Sequence, residues 1–381
     1  MKKIPLFKPY FRIDETLAEI KDCLENSWTG IGYKTEIFET EWKNYSSFKF
    51  AHFLNSATSG LHLALNIFKH HYSWKNNDEV ITSPLTFIST NSVILQESLK
   101  PVFADIDDSL CLSSNSVESL ITEKTKALIY VGIGGNTRNY RKIKEICKSR
   151  GIIFILDAAH MAGSKWKKTN KQVGIGADCA IFSFQAVKNC PSSDAGMICF
   201  KNEKLDSMAR NMSWLGIDKT TYQRSKNNNY VWKYDVTSKG FKYHGNSINA
   251  SMCLVSLRYL DEDNEIRRQK AALYDKFLDE NHNLEIIRHD DDLYSSRHLY
   301  QIAVDKRDEL IQYMASKGIS LGVHYQLNSY FKIFKNFNNN SIPTAENYSS
   351  RIVSLPMSVS LTDDDVRLVA REICDFLKAS K

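Results

Sequence analysis

The sequence predicts an α/β fold: a large domain with a mostly parallel, seven-stranded sheet between helices, and a smaller C-terminal α/β domain. Two observations lead to this prediction. Between residues 51 and 200, short apolar runs alternate with segments of helical periodicity, as in parallel sheets whose crossover helices cover both faces. After about residue 250, the chain returns to charged, helical spacing. We therefore expect a large domain at 1–250 and a small one at 251–381.

The first half of the chain contains the predicted sheet. Two helical segments, 14–26 and 35–45, precede it and are separated by a glycine-containing turn. The strands are predicted at seven apolar runs, 53–58, 79–82, 102–106, 127–131, 152–156, 179–184 and 197–200. Continuous apolar runs of this length are typical of strands that are buried on both faces.

Residues 211–249 interrupt this alternation, because they are polar, aromatic and without clear periodicity. A segment of that length in a compact chain is usually functional or part of an interface. A long helix is then predicted at 250–281, a strand at 298–304 and a helix at 307–317. The last helix should begin after Thr362, which is a suitable N-cap followed by three acidic residues.

Composition excludes several classes of function. The chain of 381 residues carries 50 basic and 44 acidic side chains, a small excess that argues against nucleic-acid binding. No apolar run approaches the roughly 20 residues of a membrane span, and the N-terminus lacks the apolar core of a signal peptide. The eight cysteines form no metal-binding spacing and fit a reducing compartment. We expect a cytoplasmic protein without a metal site.

Two polar residues follow neighbouring strands of the predicted sheet. Asp157 ends the run at 152–156, and Lys188 comes shortly after the run at 179–184. Each alone is more often a cap or a solvated charge. Because ligands of parallel sheets bind beyond the carboxyl ends of the strands, the two should lie at the same edge. A carboxylate and an amine suit pyridoxal 5'-phosphate (PLP), which needs a carboxylate at its ring nitrogen and a lysine for its aldehyde.

Other residues could complete such a site. Residues 56–60 have the small, hydroxylated composition of a phosphate-binding turn at a helix N-terminus, although an ordinary strand-to-helix turn is equally consistent. Phe87 could stack on the cofactor ring, and His160 could bond its hydroxyl. Each of these two residues is also compatible with a purely structural role.

Several segments together resemble one protein family. The chain is similar to the DegT/DnrJ/EryC1/StrS sugar aminotransferases, which have the PLP-transferase fold type I. The resemblance rests on NSATSGLHLAL at 55–65, TFISTN at 86–91, DAAH at 157–160, FSFQAVKN at 182–189, WLGID at 214–218, GFKYH at 240–244 and GVHY at 322–325. The similarity extends from WTG at 28–30 to SLP at 354–356 and on to the final helix, so it covers nearly the whole chain.

The resemblance implies roles for individual residues. Lys188 matches the lysine that carries the cofactor and then moves protons, and Asp157 the acid at the pyridine nitrogen. The other positions that match the family's cofactor site are His160, Phe87, Thr58, Ser59, Ser183 and Lys242. Lys242 matches a residue that reaches the phosphate of the partner subunit, which implies a homodimer with shared active sites. The matches on the substrate side are Thr29, Gln185, His324 and Tyr325.

The implied activity is transfer of an amino group, with glutamate as the expected donor, to the keto carbon of a nucleotide-linked deoxysugar in surface polysaccharide synthesis. C4 is favoured over C3. The turn at 190–196 departs from the family pattern, which affects substrate choice more than cofactor chemistry. Two alternatives stay open: a PLP-dependent dehydratase, which would characteristically carry histidine at position 188, and a PLP- or nucleotide-sugar-binding protein without turnover.

Overall fold

A computed structural model describes residues 3–225, 232–337 and 340–379 of the chain. The strands of these residues are β1 (His52–Leu54), β2 (Glu79–Thr82), β3 (Lys100–Phe103), β4 (Thr125–Val131), β5 (Ile153–Asp157), β6 (Lys165–Trp166), β7 (Cys179–Ser183), β8 (Gly196–Phe200), β9 (Glu285–Ile286), β10 (Leu293–Tyr294), β11 (Tyr300–Ala303) and β12 (Ile352–Leu355). The helices are α1 (Ile13–Glu25), α2 (Tyr33–Ser46), α3 (Ala57–His71), α4 (Ile88–Gln96), α5 (Ser114–Ser119), α6 (Tyr140–Arg150), α7 (Glu203–Ser213), α8 (Thr221–Ser225), α9 (Ser247–Arg258), α10 (Leu260–Leu278), α11 (Arg307–Ser316), α12 (Pro343–Arg351) and α13 (Asp363–Ala379).

The central sheet has seven strands in the order β1-β8-β7-β5-β4-β2-β3. The five strands from β7 to β3 are mutually parallel, and β8 runs antiparallel to both of its neighbours. The predicted mostly parallel sheet is therefore confirmed. In its middle, Asp157 of β5 pairs with Val131 of β4 and with Ile181 of β7. This register places an acid at the carboxyl end of a central strand.

Helices cover both faces of this sheet. On one face, α3, α4 and α7 enclose an apolar cluster that includes Leu65, Ile129 and Ile181. On the other face, a larger cluster includes Trp42 and Phe182 together with residues of α6 and α9. The strands between the two clusters are buried on both sides, which explains why they appear in the sequence as continuous apolar runs.

A third apolar cluster surrounds the three-stranded sheet β12-β11-β9 and contains residues of α10, α11 and α13. The predicted boundary between the two domains at residue 250 stays a prediction. Beyond that residue, Cys253, Leu254 and Leu257 of α9 pack in the apolar cluster of the large sheet. Thr362 caps α13 as predicted: its hydroxyl accepts a hydrogen bond from the Asp365 amide, and its own amide donates to the Asp365 carboxylate.

Some predicted bounds differ from those observed. The long helix predicted at 250–281 is two helices, because Tyr259, with φ −110° and ψ 6°, leaves helical geometry between α9 and α10. The strand predicted at 102–106 ends at Phe103, and the Asp105 carboxylate accepts hydrogen bonds from the Thr344 and Ala345 amides at the start of α12.

The non-periodic segment 211–249 includes the end of α7, α8 and isolated bridges of Trp214 to Lys242 and of Ile217 to Val236. Its residues 226–231 lie outside the described part of the chain. Among the residues that are described, no helix has the length and apolar character to cross a membrane.

Candidate active site

A cavity of about 520 Å³ lies at the carboxyl edge of the central sheet, where α3 and α4 begin. Nine of the predicted site residues line it: Thr58, Phe87, Asp157, His160, Ser183, Gln185, Lys188, His324 and Tyr325. Phe7, Thr90, Asp194 and His298 line it as well. The fold thus brings together most of the residues that motif matching selected from distant parts of the chain.

Asp157 is buried at the end of β5, and both of its oxygens accept hydrogen bonds. The Thr90 hydroxyl donates to Oδ2 at 2.7 Å, and the Ala159 amide donates to Oδ1 at 3.1 Å. Burial raises the pKa of Asp157 above its ordinary value, against the lowering effects of Thr90, Ala159 and Lys188. The carboxyl group is held in one orientation in a site that also contains a cation.

Lys188 lies in the loop after β7, and its amine lines the cavity. Burial lowers the pKa of Lys188 to about 8, and Asp157 opposes this shift. A lysine with such a pKa is partly neutral near pH 7, which a nucleophilic or proton-transferring amine requires.

His160 is a neutral imidazole with an identifiable tautomer. Its Nδ1 accepts a hydrogen bond from the Gly134 amide at 3.1 Å, so the ring proton is on Nε2. Nε2 is 3.1 Å from the Tyr325 hydroxyl. Burial, with the nearby Lys188 and His324, lowers the pKa of His160 well below its ordinary value. His160 therefore offers a donor and not a positive charge.

The beginning of α3 forms one wall of the cavity. Ser56 is the N-cap and accepts a hydrogen bond from the Ser59 amide at 3.1 Å. The first amides of a helix have no partner within the helix and favour anions. A Cβ atom at Gly196 would lie 2.6 Å from the Ala57 nitrogen, so only glycine allows β8 to approach this helix start. Thr58, 2.8 Å from Ser89 between hydroxyl oxygens, and Ser183 add hydroxyl groups to the same wall.

Phe87 and His324 are also part of the lining. Phe87 is 56% exposed although it is a large apolar ring, and this exposure is what a stacking surface for a flat ligand requires. Nδ1 of His324 is 2.9 Å from the Ser354 hydroxyl, and burial lowers the pKa of His324 to about 4. The imidazole is consequently uncharged.

Three predicted site residues do not line the cavity. The Ser59 hydroxyl donates within the first turn of α3, to Asn55 and to the Ser56 carbonyl oxygen. Thr29 and Lys242 are exposed, and the Lys242 amine lies 3.5 Å from the centre of the Trp214 ring. The roles predicted for these three residues stay predictions.

His298 is one of the cavity residues that were not predicted from the sequence. It is buried, lines the cavity, and its Nε2 lies 3.5 Å from the Lys188 amine. The sequence predicts His298 at the beginning of a strand at 298–304, but β11 begins at Tyr300, so His298 lies in the loop before it. The available signal in the sequence was a polar residue directly before an apolar strand. This signal does not show which part of the fold the side chain contacts.

A mostly parallel α/β sheet with a partly neutral lysine, a buried carboxylate, a helix N-terminus and an exposed aromatic ring around one cavity defines a PLP-dependent enzyme of fold type I. Comparison with known proteins gives the family. The chain belongs to the DegT/DnrJ/EryC1/StrS aminotransferase family, whose sequence model matches residues 12–374.

Individual relatives agree with this assignment. The chain is 32% identical over 382 residues to the uncharacterised protein MJ1066 of Methanocaldococcus jannaschii, covering 95% of each chain. It is 31% identical to the spore coat polysaccharide biosynthesis protein SpsC of Bacillus subtilis, covering 96% of this chain and 95% of SpsC. The solved structure of Spr1654 from Streptococcus pneumoniae, assigned as a sugar aminotransferase, superposes with a TM-score of 0.90 at 26% identity and covers 99% of each chain.

The residues present fit the cofactor of this family, PLP. Spr1654 has also been solved in its PLP-form. In the present chain, Asp157 would hold the ring nitrogen and Lys188 the aldehyde, and the start of α3 would hold the phosphate. The close approach at Gly196, which a Cβ atom would block, is independent support for a backbone cradle at that wall.

Proposed function

We propose that the chain is a PLP-dependent aminotransferase that moves an amino group from glutamate to the keto carbon of a nucleotide-linked deoxysugar. The observation that carries the proposal is the pairing of a partly neutral lysine, Lys188, with a buried carboxylate, Asp157, in one cavity. Bound PLP supplies an electron sink that stabilises negative charge at the carbon attached to the amino group.

Within this proposal, each group of the chain has a distinct task. Asp157, oriented by Thr90 and the Ala159 amide, keeps a positive charge on the ring nitrogen favourable. Lys188, once its amine is free, takes a proton from one atom and returns it to another, because its pKa of about 8 allows both directions near neutral pH. Phe87 holds the ring plane, and His160 donates from Nε2.

The charge of the cavity supports an active site shared by two subunits. Among the described lining residues, Lys188 supplies the basic amine and the histidines His160, His298 and His324 are held neutral. A phosphate and a dicarboxylate donor need more positive charge than this. Lys242, exposed outside the cavity of its own chain, is the residue that we propose to enter the site of a partner in a homodimer.

The substrate proposal follows the relatives and the family. SpsC is a spore coat polysaccharide biosynthesis protein, and we propose a role for the present chain in a surface polysaccharide pathway in the cytoplasm. Amination at C4 is favoured over C3. Lys188 argues against the dehydratase alternative, because a dehydratase of this fold would characteristically have histidine there.

The test is an absorbance spectrum of the purified chain with PLP, recorded before and after addition of L-glutamate. A visible band that glutamate converts into the absorbance of the pyridoxamine form supports transamination. A band that glutamate leaves unchanged while a nucleotide-linked sugar is bound would support binding without turnover. Mass spectrometry of products from a panel of nucleotide-linked 3- and 4-keto-sugars then identifies the substrate and the aminated carbon.

A further inference from the structure

The surroundings of His298 give a role to a residue outside the segments on which the family resemblance rests. His298 is 1% exposed, and its ring stacks on Phe7 at 5.5 Å and lies 4.3 Å from the His160 ring, between centroids. One ring nitrogen, Nε2, faces the Lys188 amine at 3.5 Å, and the other, Nδ1, faces the side chain of Asn189 at 3.0 Å. What His298 can do to Lys188 depends on which nitrogen carries the proton.

The hydrogen-bond network determines that proton. Asn264 Nδ2 donates to the Ala162 carbonyl oxygen at 3.0 Å, so Oδ1 of Asn264 is the atom that faces Asn189. Asn189 Nδ2 donates both to that oxygen at 2.6 Å and to the Ser296 carbonyl oxygen at 2.7 Å. Because carbonyl oxygens can only accept, the orientations of both amides are fixed.

It follows that Asn189 presents Oδ1 to the imidazole. His298 must donate from Nδ1, and its neutral ring then has an unprotonated Nε2 directed at Lys188. The carbonyl oxygens of Ala162 and Ser296 thus orient the side chains of Asn264 and Asn189. As a result, the unprotonated Nε2 of His298 lies beside the lysine amine.

The backbone that carries His298 is also held in place. Arg297, directly before it, has φ 45°, a left-handed conformation that is unfavourable for a non-glycine residue and that the surrounding contacts must hold. The His298 amide donates to the Gly134 carbonyl oxygen, and the Ser296 hydroxyl donates to the His160 carbonyl oxygen. At Gly135 a Cβ atom would lie 2.4 Å from the Ser296 hydroxyl oxygen, so glycine permits this close approach. The loop is tied to the same segments that position His160.

We propose that His298 is a positioning residue for Lys188: its Nε2 accepts a hydrogen bond from the lysine nitrogen and keeps that nitrogen at one place in the cavity. This inference rests on the proposed function, because it concerns the lysine that moves protons there. Asn189 and Asn264 take part by fixing the tautomer.

The other charged and titratable groups around His298 favour the same neutral state. Burial lowers the pKa of His298 well below its ordinary value, and His160, Lys188, Arg267 and His324 lower it further. These groups come from the loop after β5, the loop after β7, α10 and the segment between α11 and α12. Asp157 acts on Lys188, whose pKa it raises.

The proposal has a measurable consequence for pH dependence. An acceptor stabilises the protonated form of the lysine nitrogen, so its removal should lower the pH at which that nitrogen loses its proton. His298→Phe keeps a flat ring against Phe7 but removes both nitrogens. His298→Gln places an acceptor oxygen at similar reach. His71→Phe removes a partly buried imidazole at the C-terminal end of α3, away from the helix start that lines the cavity, and serves as the control.

The experiment titrates the visible absorbance of the PLP-loaded full chain against pH. We expect His298→Phe to lower the midpoint by about one pH unit, since a hydrogen bond to a charged group is worth about that much. His298→Gln and His71→Phe should keep the wild-type midpoint. An unchanged midpoint in His298→Phe overturns the inference alone, whereas a wild-type chain without any such band overturns the proposed function.

A second measurement reads the wild-type chain directly and uses a variant only to assign the signal. Nitrogen-15 NMR of the histidine-labelled, PLP-loaded full chain reports which ring nitrogen of His298 carries the proton, with His298→Gln providing the assignment. The proposal requires a protonated Nδ1 and a bare Nε2 at neutral pH. A proton on Nε2 would contradict it, whatever the variants do.

Discussion

His298 and His52 are both buried imidazoles with a partner on each ring nitrogen, yet they sit in chemically different clusters. His298 lies between an amide oxygen and a lysine amine at the edge of the cavity. His52, in the edge strand β1, lies between the carboxylate of Glu39 at 2.9 Å and the hydroxyl of Ser213 at 2.7 Å. The first cluster is poor in charge, and the second is rich in it.

The second cluster is a set of ion pairs that joins β1 to α2 and α7. Arg210 bonds Glu39 at 2.8 Å and Asp206 at 2.7 Å. Burial alone would raise the pKa of Glu39, but Arg210, His52 and the Phe53 amide outweigh it and lower this pKa to about 2. Together, Ser213, His52 and Glu39 have the residue types of a hydrolytic triad. However, Ser213 is fully buried and its hydroxyl donates to the Arg210 carbonyl oxygen, so it is not a nucleophile.

The comparison shows that the hydrogen-bonding partners of a buried histidine determine whether it contributes to catalysis or to stability. Neutral amides leave a lone pair free for a substrate or a lysine. In the charged cluster, both ring nitrogens of His52 and both carboxylate oxygens of Glu39 already have partners within the protein. Variants of the two clusters should therefore separate activity from stability.

The largest effect is expected from Lys188→Ala. Because the variant lacks the amine that binds the aldehyde and moves protons, amine transfer should fall by at least about a thousandfold. The thermal unfolding temperature should change little. Stopped-flow absorbance with L-glutamate measures the rate. The control is Lys201→Ala, whose lysine is exposed and bonds Asp178 at the opposite edge of the sheet.

Asp157→Asn should have the next largest effect on chemistry. Asparagine keeps the shape but cannot hold the negative charge that favours a protonated ring nitrogen, so the rate with L-glutamate should fall about a hundredfold. Asp178→Asn is a matched control, since Asp178 directly precedes β7 at the other edge of the sheet. Equal rates for the two variants would mean that the Asp157 charge does not contribute to the reaction.

Glu39→Gln tests the stability side of the comparison. The variant removes the negative charge beside Arg210 and His52, although Asp206 still pairs with Arg210. The free energy of unfolding should fall by about 3 kcal/mol. Activity per folded molecule should persist, because Glu39 does not line the cavity. Urea unfolding measures the loss, with Glu41→Gln, an exposed acid on the same helix, as reference.

The smallest effect concerns how the stability difference between wild type and Glu39→Gln depends on pH. The pKa of Glu39 is lowered to about 2, so its contribution is present in full above the ordinary carboxyl pKa and is lost as pH falls toward 2. Wild type and Glu39→Gln should therefore converge in stability between about pH 4.5 and 2. A constant difference across this range would mean that the Glu39 charge does not contribute.

The sequence predicted one half of the cavity better than the other. Asp157 and Lys188 each follow an apolar strand, and the rule that parallel strands end at one edge brings them together without further information. His298 could not be found in this way, because its loop reaches the cavity through tertiary bonds to Gly134 and His160 that leave no local pattern. Similarly, the Thr362 cap was predictable from three neighbouring acids, whereas the break at Tyr259 had no sequence signal.

The most direct test of the central claim is to identify the residue that carries the cofactor. Borohydride reduction of the PLP-loaded chain, followed by digestion and mass spectrometry, fixes the cofactor to the lysine that holds it. We predict a single modified lysine, Lys188, and loss of the modification when L-glutamate is added before reduction. Modification of another lysine, or none at Lys188, would contradict the assignment of this cavity as the active site.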